Sequence, residues 1–291
     1  MVALAPGTPM KVITALFSLA LPLLAASSVA GQACGVHDAP GIAGGGGEQI
    51  LCRDGYALNY DYDRQSALWV SYQLTRASVF SDAADRKGMN FRLDREIDSD
   101  YRAPASIYSK SGYDKGHLAP AASVDYSEEA LRETFLYSNA LPMLPGFNRH
   151  GFGYDGAWGA LEDSVRDWVK ERDRLWVVSG PVYLHDMGLL AGELPIPSHF
   201  FKVIADPDEQ SVTAYLLPHE NNTAPALSSY RETVDCLEAL TGLDFMSQWS
   251  FAQDLENSVG ETGWSDSDGD TSPGGCVSDT AQAYLESVSG R

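Results

Sequence analysis

Residues Ala67 to Thr75 alternate apolar with polar side chains, and their β-branched and aromatic members make the segment a strand. Apolar stretches at Leu175 to Ser179, Phe200 to Ala205 and Val212 to Leu217 predict three more strands. A different period appears between Gly156 and Arg172. There Trp158, Leu161, Val165, Trp168 and Val169 fall on one stripe, which predicts the clearest helix of the chain. A short helix is expected to start after Ser127, whose side chain suits the N-cap and is followed by Glu128 and Glu129 in the first turn. Ser228 to Thr241 reads as a helix closed by Gly242. Residues 80–110 read as polar turns. Strands and helices do not alternate regularly, so the expected fold class is α+β, with a mainly antiparallel central sheet flanked by helices.

The first thirty residues have another character. Lys11 precedes an apolar run from Val12 to Ala26, and Ser28-Val29-Ala30 offers small residues for cleavage, the pattern of a signal peptide. Residues 31–51 contain four consecutive glycines and read as a flexible lead-in. They carry no Lys-Ser/Thr that would make a phosphate loop. Residues 52–291 are expected to form a single domain whose C-terminal part, from about residue 247, is acidic and turn-rich. Export places Cys34, Cys52, Cys236 and Cys276 in an oxidising compartment. Three pairings are possible, and the two local ones, Cys34–Cys52 and Cys236–Cys276, are expected.

Charge narrows the function. Forty acidic and twenty basic residues in 291 give a net charge of −20, and removal of Lys11 with the signal makes it −21. A protein that coats nucleic acid or lipid through a broadly basic surface is excluded. A site that handles phosphate with a few placed cations is not. No two cysteines are spaced as in a zinc scaffold.

The chemistry concentrates between Tyr113 and Arg166. Asp114-Lys115-Gly116-His117 is followed by Ser138-Asn139, by Phe147-Asn148-Arg149, and by Trp158-Gly159-Ala160-Leu161-Glu162 with Arg166 one turn on. Alone, each element is weak, since a Glu/Arg pair at this spacing is usually a solvated helix ion pair. In this order, with Tyr56-Ala57-Leu58-Asn59 before them and Ser179-Gly180-Pro181 and His199-Phe200-Phe201-Lys202 after, they resemble the DNA/RNA non-specific endonucleases over roughly residues 52–245.

The resemblance implies a ββα-metal finger and hydrolysis of phosphodiester bonds in DNA and RNA to 5′-phosphate products. His117 is then the general base, since neutral imidazole accepts a proton near neutral pH. Asn148 is the expected metal ligand, to Mg²⁺ or another divalent ion such as Mn²⁺, through its amide oxygen. Glu162 is expected to hold a metal-bound water, Arg166 to stabilise charge on the phosphate, and Asn139 to orient the site from its strand. Lys115, where the family has Arg, and Arg92 are expected to bind substrate, with Arg86 as an alternative to Arg92. The family pattern places its Asn about four residues before the helix Trp, whereas Asn148 precedes Trp158 by ten. Either residues 150–155 are an insertion, which is the expectation adopted, or Asp155 has taken over the metal. Two other functions remain open at this point: an inactive nuclease-like binding module, and a phosphodiesterase of small extracellular esters.

Overall fold

The structure is a computed structural model that describes residues 1, 34–37, 40–81, 83–221, 226–252, 254–256, 276 and 278–289. The expected signal segment, Met1 apart, and residues 257–275 of the expected acidic, turn-rich part lie outside the described residues. The centre is a seven-stranded sheet, antiparallel throughout. Its order across the sheet is Arg231–Glu232, Ser211–Pro218, His199–Asp206, Arg174–Val182, Ser66–Thr75, Ala57–Asp61 and Gln49–Cys52.

Both faces of this sheet are covered, so the central strands are buried from end to end instead of alternating in burial. Neighbouring residues serve opposite cores. Val70, Tyr72, Phe200 and Ile204 pack with Trp158, Leu161, Val165 and Trp168 of the helix Ala157–Arg172. Trp69, Trp176, Phe201 and Val203 pack on the other face with Leu237, Phe245 and Met246. The helical stripe is therefore the apolar half of one face of the sandwich.

Three local expectations change. Residues 40–52 are paired, not loose: Ile42–Gly44 bonds to Leu243–Phe245, and Gln49–Cys52 is an edge strand of the main sheet. The glycines supply the positive φ values this winding path needs, such as +84° at Gly47 beside Asn59. The helix ending at Gly242 begins only at Val234, with Thr233 Oγ1 accepting from Cys236 N, because Arg231–Glu232 is drawn into the sheet. Asn139 ends a 3₁₀ turn, Tyr137–Asn139, immediately before its expected strand. Cys34–Cys52 and Cys236–Cys276 are both closed, which fits an oxidising compartment. Among the described residues no helix is long and apolar enough to cross a membrane.

Candidate active site

Outside the main sheet, Asp114–His117 pairs antiparallel with Ala140–Met143, placing Gly116 opposite Leu141 and His117 opposite Ala140. The chain continues through the short helix Pro145–Asn148 and a hairpin into the helix Ala157–Arg172. This is a ββα unit, and its two halves are fastened together. The fully buried Trp158 donates from Nε1 to the carbonyl oxygen of His117 at 3.2 Å. Gly116 is required by close approach, since a Cβ there would stand 2.1 Å from Met143 Sδ.

One cleft of about 720 Å³ is lined by His117, Asn148, Glu162, Arg166, Lys115 and Arg86. The His117 ring centre lies 4.9 Å from that of Phe91 and 5.1 Å from that of Phe135, with the latter pair near perpendicular. His117 is half-buried as a residue, but its Nε2 is shut off from solvent and has no hydrogen-bond partner among the described residues. Burial, reinforced by the Arg86 guanidinium, pushes its pKa down to about 3. The imidazole is therefore neutral at pH 7, the form that can take a proton, and an anionic phosphate entering the cleft raises its proton affinity.

Asn148 is held by a residue that sequence reasoning left without a role. Its Nδ2 donates to Asp114 Oδ2 at 3.0 Å, so the amide oxygen is the atom left to meet a hard cation. Asp114 also receives Arg149 through Nε at 2.7 Å and Nη2 at 2.6 Å. A neutral oxygen donor with the Glu162 carboxylate in the same cleft fits a hydrated divalent ion better than a soft metal. Asp155 does not line the cleft; it faces His150 at 3.6 Å. Residues 150–155 form a small hairpin, His150–Gly151 against Tyr154–Asp155.

Glu162 and Arg166 both line the cleft, but Arg166 pairs with Asp163, not with Glu162. Asp163 also takes His150 Nδ1 at 2.6 Å. Glu162 answers to Lys202, which sequence reasoning also passed over. Lys202 is fully buried on its strand, its Nζ lies 4.0 Å from the Trp158 ring centre, and it has no hydrogen-bond partner among the described residues. Burial pushes the Glu162 pKa up, against the pull of Lys202 and Arg166. Burial likewise pushes the Lys202 ammonium down, against the pull of Glu162. A charged residue in the middle of an apolar strand was the available signal, since lysine is rarely buried without a partner.

Lys115 lines the cleft with its ammonium 5.5 Å from the Phe91 ring centre and 5.9 Å from that of Tyr137. Arg92 is placed elsewhere: its guanidinium donates to Arg132 O at 2.5 Å, and Arg86 is the cleft residue of the two. Asn139 is fully buried and spends its amide on backbone. Oδ1 accepts from Ala119 N at 2.8 Å, and Nδ2 donates to Ala119 O and Thr134 O. It clamps the chain just beyond His117 and does not reach the cleft lining.

The sequence profile of the DNA/RNA non-specific endonucleases matches residues 35–252. The chain is 32% identical over 222 residues to a nuclease of Syncephalastrum racemosum, covering 68% of each protein. It is 31% identical over 225 residues to nuclease C1 of Cunninghamella echinulata var. echinulata, covering 72% of this chain and 85% of that one. It is 30% identical to human mitochondrial endonuclease G over 71% of each chain. Among solved structures it is similar to the EndoG/EndoGI complex, with a TM-score of 0.68 and 28% identity over 77% of this chain and 94% of that one. The profile match over residues 35–252, with these nuclease relatives and the shared fold, makes the chain an enzyme and a member of the DNA/RNA non-specific endonuclease family.

Proposed function

We propose that this chain is a secreted, Mg²⁺-dependent endonuclease that hydrolyses DNA and RNA without regard to the sugar and leaves 5′-phosphates. The observation that carries the reading is the convergence of His117, Asn148, Glu162 and Arg166 on one cleft from three separate elements of the ββα unit. Asn148 would hold the ion, which when bound polarises a phosphate oxygen and favours departure of the leaving oxygen. The neutral imidazole of His117 takes the proton of the attacking water as its oxygen bonds to phosphorus and the bond to the 3′ oxygen breaks. Glu162 orients water in the cleft. Arg166 and Lys115 meet the charge that grows on the phosphate, Lys115 as a point charge without the fork of an arginine. Arg86 takes the substrate-binding place first expected of Arg92. Trp158 and Asp114 hold His117 and Asn148 in register.

The test is cleavage of supercoiled plasmid and of RNA by the purified protein and by His117→Ala, with Mg²⁺ and with EDTA. Cutting of both that needs Mg²⁺ and fails in the variant is expected. Absence of any cutting by the wild type, from low salt to about 1 M, sinks the reading in favour of a binding module or an enzyme of small phosphoesters. Secretion is supported by the N-terminal signal pattern and the two disulfides, and is tested by the N-terminal sequence of exported protein, expected to start at Gly31.

A further inference from the structure

The hairpin between Asn148 and the active-site helix has a feature that its own folding does not explain. Gly151 faces Tyr154, which leaves Phe152 and Gly153 as a two-residue turn with φ of +53° and +91°. Positive φ at both positions defines a turn that ordinarily takes Asn, Asp or Gly at its first centre. A phenylalanine there is conformationally disfavoured, because its Cβ crowds the backbone in the left-handed region. Nor does the ring repay this by packing, since Phe152 is 108% exposed. A Cβ added at Gly151 or Gly153 would meet nothing within 4 Å, so the tip stands clear of the body.

Its base, by contrast, is braced on both sides. Arg149 binds Asp114 through two hydrogen bonds and lies 5.0 Å from the Tyr154 ring centre. His150 binds Asp163, which in turn holds Arg166. Phe152 and Tyr154 line the same cleft as His117 and Asn148. A fixed finger thus carries a bare aromatic ring to the mouth of a phosphodiester site.

We infer that the hairpin His150–Asp155 is a base-stacking finger, with Phe152 stacking on a nucleobase of the strand being cut. This rests on the nucleic-acid reading of the cleft. Every base offers a π-face, so such a contact grips a strand without reading its sequence and adds affinity that does not depend on charge. That suits a protein whose net charge of −20 opposes a polyanion.

The test compares wild type with Phe152→Asn, which suits the positive φ but has no ring, and with Phe152→Trp, which keeps one. The probes are a 20-nucleotide single strand and the same strand built with abasic analogues. Stacking of one base is worth about a five- to 150-fold change in affinity. KM for the base-bearing strand is expected to rise at least fivefold in Phe152→Asn. The preference of the wild type for bases over abasic sites should shrink by the same factor, and Phe152→Trp should restore both. In EDTA, the fluorescence that Phe152→Trp adds over wild type is expected to be quenched by the base-bearing strand and not by the abasic one. Equal KM in wild type and Phe152→Asn, or equal losses on the two strands, overturns the inference while leaving the nuclease intact. A wild type that cuts nothing fails the functional reading instead, and the quenching experiment then decides the finger alone.

Discussion

Gly156→Ala is the sharpest probe of how Asn148, the proposed metal ligand, is held. Gly156 caps the active-site helix, and its N–H donates to Arg149 O at 2.8 Å. A Cβ at this position would lie 2.3 Å from Phe147 O and 2.6 Å from Arg149 O, the two carbonyls that flank Asn148. Both neighbours are backbone, so no side chain can swing aside. Opening the 2.3 Å contact to 3.0 Å requires a displacement of at least about 0.7 Å, delivered directly to the residues on either side of Asn148. Overpacking of this kind costs about 1–3 kcal/mol of stability. A misplacement approaching 1 Å costs on the order of 10²-fold in catalysis. The assay is kcat as a function of Mg²⁺ concentration, with thermal unfolding alongside. The expected result is a folded protein with a lower Tm, a kcat reduced about 10²-fold and a higher Mg²⁺ requirement. Wild-type kcat and wild-type Mg²⁺ dependence in a variant with a lowered Tm would refute the role of this backbone in placing Asn148.

Three other outcomes follow from the electrostatics. The proposed role of Glu162 needs it ionised, and burial raises its pKa, so kcat/KM should fall as pH drops through that raised value. Lys202→Met removes a cation that favours the carboxylate and should move this acidic limb to higher pH, costing up to about tenfold per unit at pH values below it. An unmoved limb in Lys202→Met refutes the assignment, and His117, neutral down to about 3, does not set it. Glu238 is raised from 4.5 to about 7, first by burial and then by Glu256, Asp244 and Asp235, with the Phe245 N–H opposing. Its folded pKa exceeds the unfolded one, so its contribution to stability is complete below pH 4.5 and lost as pH rises to about 7. Urea unfolding of Glu238→Gln should show a flatter decline over that window, and an unchanged slope removes the assignment. Finally, a net charge of −20 repels substrate at low ionic strength. At constant Mg²⁺, kcat/KM on long DNA should hold or rise as salt shortens the Debye length from about 10 Å at 0.1 M. A monotonic fall from low salt would be the ordinary behaviour of a cationic binder and would contradict this.

The sequence by itself determined those elements whose signal is local. The stripe from Trp158 to Val169 has a period that only a helix can bury on one side, and the helix formed where it stands. The strands at Ser66–Thr75 and His199–Asp206 were legible for the same reason, and so was the Ser127 cap. The order of Asp114, His117, Asn148, Glu162 and Arg166 carried the family, because a catalytic unit folded from contiguous chain keeps its chemistry in sequence order. Tertiary structure alone decided what joins distant segments. That Asp114 holds Asn148, that Lys202 lies beside Trp158 and Glu162, and that Asn139 clamps Ala119 all depend on which elements the sheet brings together. The lead-in around Gly44 to Gly47 became ordered for that reason too. Its glycines carry little local preference of their own, and only its pairing with Leu243–Phe245 and the sheet edge selects one path. Arg86 and Arg92 could not be separated by sequence, since both lie in a turn-rich stretch where direction is set by packing. Arg92 is drawn to the Arg132 carbonyl, and Arg86 is left at the cleft.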